Sequence, residues 1–440
     1  MKALITGANG QDARWLTKFL LEHGYEVHLT DRRRSQQNML NERRCTLHRM
    51  NLMDESSIRK TIKRVRPEEI YHLAAQSHVG WSFEVPEETM ASNTMGTLYL
   101  LEAMKEYCPS SRMYFAATSE MFGGLKNIQK EIYCREHDCT VNDFGHYQIC
   151  PIGGTISLKE PMLMEDIKQA REKIHIFGRS GFIQDASTLT EVKGIKPCTD
   201  AWEEKDLPIP LDENSPMIPK SPYGVSKTAS YQLIALYRQA YNMRICSGIL
   251  FNHESKYRGN EFLPMKVCNY VKKFHVSYTQ AGTISETLKI VGGPLEVGNV
   301  LSARDWGWAK EYVEAMYRIL HQDEFRCRYI ETERNTHLEG KDFHDYVVGT
   351  GMTTTIRDFI AIAFKHAGFD GEWHGAESQT TAADASFNVE GYAVVGINPQ
   401  FFRPAEVHVL RANPIRALRE LGWKASDNSV DLIIKDMLEN

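Results

Sequence analysis

Apolar residues in the first half of the chain come in short runs separated by amphipathic stretches. KALIT (2–6), EVHLT (26–30), EIYHLAA (69–75) and RMYFAAT (112–118) read as buried strands. Between them, ARWLTKFLLEHG (13–24) and GTLYLLEAMKEY (96–107) repeat apolar residues at helical spacing, and Gly24 is placed to end the first helix in a left-handed cap. Strands alternating with helices predict an α/β fold with a doubly wound parallel sheet, whose ligands lie at the carboxyl ends of the strands. In FAATSEMFGG (115–124) the apolar run stops at Thr118, Ser119 and Glu120, so these three residues are predicted at the mouth of a cleft.

From 125 to 215 the periodicity is lost. LKNIQKEIYCREHDCTVNDFGHYQICPIGG has mixed polarity, and the charged EKDLPIPLDENSPMIPKSP lies near the end of the region. This reads as an insertion in the main fold. Regular signals return at SPYGVSKTASYQLIALYRQAYN (221–242), a helix with Ser221 as N-cap and Pro222 at its first position, followed by the strand RICSGILFN (244–252). Residues 253–440 have shorter elements, including the helical TTIRDFIAIAFKHAG and NPIRALREL, and read mainly as a smaller substrate lobe with some segments returning to the first domain. The expected division is therefore 1–124 with 216–252, an insertion at 125–215, and the lobe from 253.

Composition narrows the function classes. Lys and Arg number 52 against 57 Asp and Glu, a net charge of −5, which gives no general electrostatic case for nucleic acid or an acidic membrane. No apolar run reaches the length of a membrane span, and MKALITGANG places a glycine turn where a secretory signal would need apolar residues. The nine cysteines are scattered rather than arranged as a disulfide framework, so reduced thiols and a cytoplasmic location are expected.

Three constellations carry chemistry. In ALITGANGQDARWL, Gly7 and Gly10 form a GxxGxxA turn between strand and helix, where glycine admits a pyrophosphate and the helix N-terminus offers free N–H groups. Ala13 stands where a third glycine is usual and is small enough for helix–strand packing. After the second strand, in TDRRRSQQN, Asp31 suits a ribose diol, whereas Arg32, Arg33 and Ser35 suit a 2′-phosphate. The three arginines tilt the choice to NADP, and Asp31 keeps NAD open. Tyr223 and Lys227 share a helix face at i, i+4, where an ammonium stabilises a phenolate and makes the tyrosine a usable general base.

TGANGQD, EIYHLAAQSHV, TSEMFG, SPYGVSK, GILFNHES, SARDWGWAKEYVEAM and FFRPAEV together resemble the extended short-chain dehydrogenase/reductases, and within them the GDP-mannose 4,6-dehydratase family. The resemblance covers residues 1 to about 124 and about 215 to 440. It implies a Rossmann domain with a C-terminal nucleotide-sugar lobe, a homo-oligomer (dimer or tetramer), and a redox-neutral dehydration. In that reaction Tyr223 is the base at the C4 hydroxyl, Thr118 hydrogen-bonds the C4 oxygen, Glu120 removes the C5 proton, and Lys227 holds the nicotinamide ribose. For the cofactor it implies Gly7, Asn9, Gly10, Gln11, Asp12, Arg32, Arg33, Asn51, Leu52, Leu73, Ala74, Ala75, Gln76, Ser77, His253 and Arg258. For the GDP-sugar it implies Ser119, Asn252, Lys266, Arg304, Arg403 and Glu406.

The chain departs from the family at Asn51, where an aspartate is expected, at Glu88, where the family has a tyrosine, and at Asp31 before the arginines. Two other readings remain: a dehydratase or epimerase acting on another nucleotide sugar, and an idle nucleotide-sugar-binding protein. The second is opposed by Thr118, Glu120, Tyr223 and Lys227 occurring together. Cys134, His137, Cys139, His146 and Cys150 lack the paired spacing of a zinc site, so no metal is expected.

Overall fold

In the computed structural model the run KALIT becomes β1 (Lys2–Thr6), whose alternate side chains face two different layers. Ala3 and Ile5 pack with Leu16 and Leu20 in one core, while Leu4 packs with Ile58, Leu100 and Ile234 in another. A strand buried on both faces needs helices on both sides, and the chain supplies them. The structure describes residues 1–32, 45–123, 209–329, 342–375, 384–402, 407–426 and 429–439, and between 128 and 208 only the backbone of short strands.

The remaining strands of the central sheet are β2 (Glu26–Asp31), β3 (Cys45–Arg49), β4 (Glu69–His72), β5 (Arg112–Thr118), β6 (Arg244–Leu250) and β7 (Tyr346–Val348). Their order is β7-β6-β5-β4-β1-β2-β3, and every neighbouring pair is parallel. Chain direction across the sheet reverses between β1 and β4, the switch point at which a crevice opens. Helices α1 (Gln11–Glu22), α2 (Glu55–Val65), α3 (Gly96–Tyr107) and α4 (Pro222–Tyr241) connect or flank these strands. Gly24 has φ +83°, as the cap reading requires. Ser221 caps α4 by accepting the N–H of Gly224 at 3.0 Å, and Pro222 occupies its first position.

The lobe has its own core, in which Phe274, Phe359, Phe364 and Phe387 are buried among aliphatic side chains. It is built from α5 (Leu263–Ala281), α7 (Ile356–His366) and α8 (Ser429–Leu438) with a four-stranded sheet that includes Ser386–Val389 and Tyr392–Ile397. Between α5 and α7, α6 (Ala309–Leu320) returns to the first domain, where Tyr312, Met316 and Ile319 join the core of α1.

The chain divides into two compact units, Met1–Leu125 with Pro210–Asn440, and Lys126–Ile209. Within the second, Ile128–Cys134 pairs antiparallel with Trp202–Pro208, and Ile156–Leu158 pairs with Tyr147–Ile149. The side chains of Cys134, His137, Cys139, His146 and Cys150 lie outside the described residues. Cys108, Cys246 and Cys268 are free thiols, and no described helix is long and apolar enough to cross a membrane.

A buried polar knot involves the first residue of β4. Glu69, 3% exposed, faces His321 Nε2 at 2.9 Å and accepts the hydroxyls of Tyr25 and Tyr71 at 3.2 Å each. Burial alone would lower the His321 pKa, but hydrogen bonding and attraction to Glu69 outweigh it and raise the pKa above its ordinary value. The raised pKa makes the pair's stabilisation fully present below about pH 6.5, the unfolded value, and lost as pH rises through the folded one. Replacing His321 by Leu is expected to cost about 3 kcal/mol in urea unfolding at pH 6. The difference from wild type should narrow as the pH is raised.

Candidate active site

The first wall of the cleft is the β1–α1 turn. Gly7 adopts φ +82°, and a Cβ there would lie 3.0 Å from the Ala74 Cα. The positive φ favours glycine, and the turn and the chain leaving β4 approach more closely than most side chains tolerate. The N–H groups of Gly7 and Ala8 both reach the Thr30 carbonyl, at 3.1 and 3.0 Å. Gly10 caps α1 without a side-chain hydrogen bond, which leaves first-turn N–H groups for an anion. Ala13 is fully buried, as a residue replacing the third glycine must be.

The second wall follows β4. Thr6 Oγ1 accepts the N–H groups of Leu73 and Ala74 at 3.0 and 2.9 Å and meets His72 Nδ1 at 2.9 Å. Burial, helped by the nearby Lys227 charge, lowers the His72 pKa to about 3, so its ring is neutral and can serve only as a hydrogen-bonding strut near pH 7. Asn93, which the sequence did not single out, is 2% exposed and joins three segments. Its side chain accepts the Gln76 N–H at 2.8 Å and donates to the Gln76 carbonyl and Ser226 Oγ at 3.0 Å each. Asn93 thus fixes the Leu73–Ser77 stretch against α4. Its signal was available only as a polar residue preceding an apolar helix.

The third wall carries the residues that the sequence marked for catalysis. Thr118 ends β5, and its hydroxyl accepts the Glu120 N–H at 3.3 Å in the tight turn Ser119–Met121. Ser119 is buried and Glu120 half-buried. This turn lies directly on the first turn of α4, since a Cβ on Gly224 would come within 2.7 Å of the Glu120 carbonyl oxygen. One residue earlier is Tyr223, 8% exposed, whose phenol is under the influence of Thr118. Burial raises the phenol to about 12, with a further push from the Glu120 charge, against the Thr118 hydroxyl and the Arg258 charge.

Lys227 lies one turn further along α4, with Nζ donating to the Ala116 carbonyl at 2.7 Å and lying 4.7 Å from the Phe115 ring centroid. Burial lowers its pKa to about 7. Desolvation governs the Tyr223 phenol, and the Lys227 ammonium donates to a backbone carbonyl.

These walls enclose one cleft of about 1220 Å³, lined by Gly7, Asn9, Gly10, Gln11, Asp12, Arg32, Asn51, Leu52, Leu73–Ser77, Thr118, Ser119, Glu120, Tyr223, Lys227, Asn252, His253, Arg258, Lys266 and Arg304. That exceeds the ~300–1,000 Å³ of a typical small-molecule pocket, so there is room for two ligands. Arg33, Arg403 and Glu406 lie outside the described residues.

Several lining residues hold other parts of the protein. Gln11 donates to the His253 carbonyl at 2.7 Å, and Asp12 meets His253 Nε2 at 3.0 Å. Arg258 pairs with the buried Glu254 at 3.0 Å and lies 3.6 Å from the Phe262 ring centroid. Lys266 donates to the Glu296 carbonyl at 2.9 Å, and the buried Arg304 donates to the Ala303 carbonyl at 2.9 Å. Phe401 and Phe402, about half exposed, add an apolar edge that the motif FFRPAEV had only marked.

The glycine turn, the uncapped α1 terminus and the large cleft fit a dinucleotide, and the third wall fits proton transfer beside it. The family model described as GDP-mannose 4,6 dehydratase matches residues 4–138 and 203–437. The chain belongs to this family. It is 30% identical to GDP-mannose 4,6 dehydratase 2 of Caenorhabditis elegans over 451 residues, which cover 99% of this chain and 87% of that protein. Among solved structures, UDP-glucose 4-epimerase of Thermus thermophilus in complex with NAD has a TM-score of 0.60 at 18% identity, covering 99% of both chains. RMD from Pseudomonas aeruginosa complexed with NADPH has a TM-score of 0.57 at 16% identity, covering 100% of this chain and 96% of that one. At such identities the likeness is one of fold. The family match pauses between 138 and 203, within the span of the second compact unit.

Membership in this family gives the Gly224 contact a testable weight. Gly224→Ala must drive the Ser119–Met121 turn away from α4. It is expected to cost about 1–3 kcal/mol in thermal or denaturant unfolding. Any nucleotide-sugar turnover should fall by more than that loss of folded protein explains.

Proposed function

We propose that the protein dehydrates GDP-mannose to GDP-4-keto-6-deoxy-mannose, with a nicotinamide dinucleotide as recycled cofactor. The observation that carries this reading is a carboxylate, Glu120, on the same cleft wall as Thr118 and Tyr223. Exchange of configuration at C4 needs a hydroxyl and a phenol but no base at C5. A carboxylate there supports elimination.

When bound, the dinucleotide supplies acceptance of a hydride from C4 and its return to C6. The turn at Gly7 and Gly10 and the first N–H groups of α1 would hold its pyrophosphate. Leu73–Ser77, Asn51, Leu52, His253 and Arg258 would enclose the remainder. Lys227 would hold the nicotinamide ribose. Asn252, Ser119, Lys266, Arg304, Arg403 and Glu406 would bind the nucleotide sugar.

Tyr223 takes the C4 hydroxyl proton at its phenolic oxygen while Thr118 holds the C4 oxygen by hydrogen bonding. Its raised pKa means that the resting phenol keeps its proton at neutral pH, so a cation beside the ring must favour the phenolate before it can act. With C4 a ketone, the C5 proton is acidified. Glu120 removes it, the C5=C6 bond forms, and the C6 hydroxyl leaves as water with the proton that Glu120 has gained. With the bound dinucleotide as hydride carrier, a proton at C5, balancing the one Tyr223 took from the C4 hydroxyl, would complete a cycle in which the substrate loses one water and no net electrons.

The cofactor's finer identity turns on residues around Asp31. A cytoplasmic homo-oligomer is the setting that the family resemblance supports.

The test is incubation of the pure protein with GDP-mannose and other nucleotide sugars, without added reductant, followed by mass spectrometry. Loss of one water from GDP-mannose is expected. Glu120→Gln should still oxidise C4 but lower elimination by roughly 10²–10⁴-fold. Normal dehydration by that variant would show that another group is the C5 base. Tyr223→Phe should slow C4 oxidation by at least about 10²-fold in single-turnover measurements.

A further inference from the structure

The residues after β2 present mixed charges to the cleft. Asp31 closes the strand, and its carboxylate accepts a hydrogen bond from the Asn9 amide in the glycine turn. An acidic residue at this place suits the diol of an adenosine ribose. Arg32 follows, and the run RRR taken alone points to a 2′-phosphate. In the structure, however, Arg32 Nη1 lies 3.4 Å from Oε1 of Glu88, a residue of the short helix Pro86–Met90. Asp31, Arg32 and Glu88 all line the cleft.

We propose that Glu88 is a specificity-determining residue for the coenzyme. It engages Arg32 and, with Asp31, makes the adenosine-ribose end acidic, so that the dinucleotide with a free 2′-hydroxyl is preferred over its 2′-phosphate. The proposal rests on the dinucleotide reading of the cleft.

The Arg32 and Glu88 side chains are 59% and 46% exposed, so their ion pair contributes little to folding. Its effect on a ligand is larger, because a phosphate monoester carries about −1.5 to −2 charges. Among the described residues, such a group competes with Glu88 for the Arg32 guanidinium and is repelled by the Asp31 and Glu88 carboxylates. At hydrogen-bonding separations in a water-accessible site, removing one of those negative charges corresponds to about a tenfold change in affinity. The exposure also predicts sensitivity to salt, since solvent ions screen charges of this kind.

The experiment measures dissociation constants for NAD⁺ and NADP⁺ by calorimetry, using the full chain freed of carried-over dinucleotide. Wild type, Glu88→Gln, Arg32→Ala and the double variant are compared at low and at physiological ionic strength. Wild type is expected to bind NAD⁺ the more tightly. Glu88→Gln should tighten NADP⁺ about tenfold while NAD⁺ stays within about twofold. That gain should vanish in the double variant and shrink with salt. A wild-type preference for NADP⁺, or an unchanged ratio of the two constants in Glu88→Gln, overturns the proposal and leaves the dinucleotide site standing. Binding of neither coenzyme overturns both. Because both side chains are solvent-exposed, matching melting curves will show that the variants are folded.

Discussion

The arrangement depends on how closely the end of β5 approaches the first turn of α4. Thr118 and Glu120 belong to one segment and Tyr223 and Lys227 to another, separated in sequence by the whole of the second compact unit. They share a wall because Gly224 has no side chain to hold the Glu120 carbonyl away, and because Ser221 fixes where α4 begins. Hydroxyl, carboxylate and phenol are brought together by backbone packing. Their chemistry follows from that placement.

Electrostatics then divides the labour within the cleft. Burial is the largest influence on Tyr223, Lys227 and His72, and in each case it opposes the charged form. At neutral pH the cleft therefore holds a protonated phenol, a lysine poised near neutrality and a neutral imidazole. The ribose end is different. Arg32 and Glu88 are solvent-accessible there, and their charges are screened.

Much of this was legible in the chain. The periods of KALIT and RMYFAAT gave strands because both faces of a parallel sheet are buried, and SPYGVSK gave a helix start because serine and proline each have a fixed place there. β3 was harder to read. CTLHR alternates polar and apolar residues and stays half-exposed at the edge of the sheet, so its hydrophobic signal is weak. The insertion defeated periodicity as well, since most of its described strands have only two or three residues and pair within their own unit.

By itself the sequence determined five of the seven strands of the sheet, the glycine turn and which residues stand at the end of β5 and the start of α4, because these rest on local periodicity and on motifs contiguous in the chain. Tertiary structure alone decided three further matters. It gave Asn93 its role as a strut between Gln76 and Ser226, directed the Lys227 ammonium to Ala116, and paired Arg32 with Glu88. Each depends on atoms from distant segments meeting within hydrogen-bonding or ion-pair distance, and on burial that sets what a charge costs. Neither quantity is written in the order of the residues.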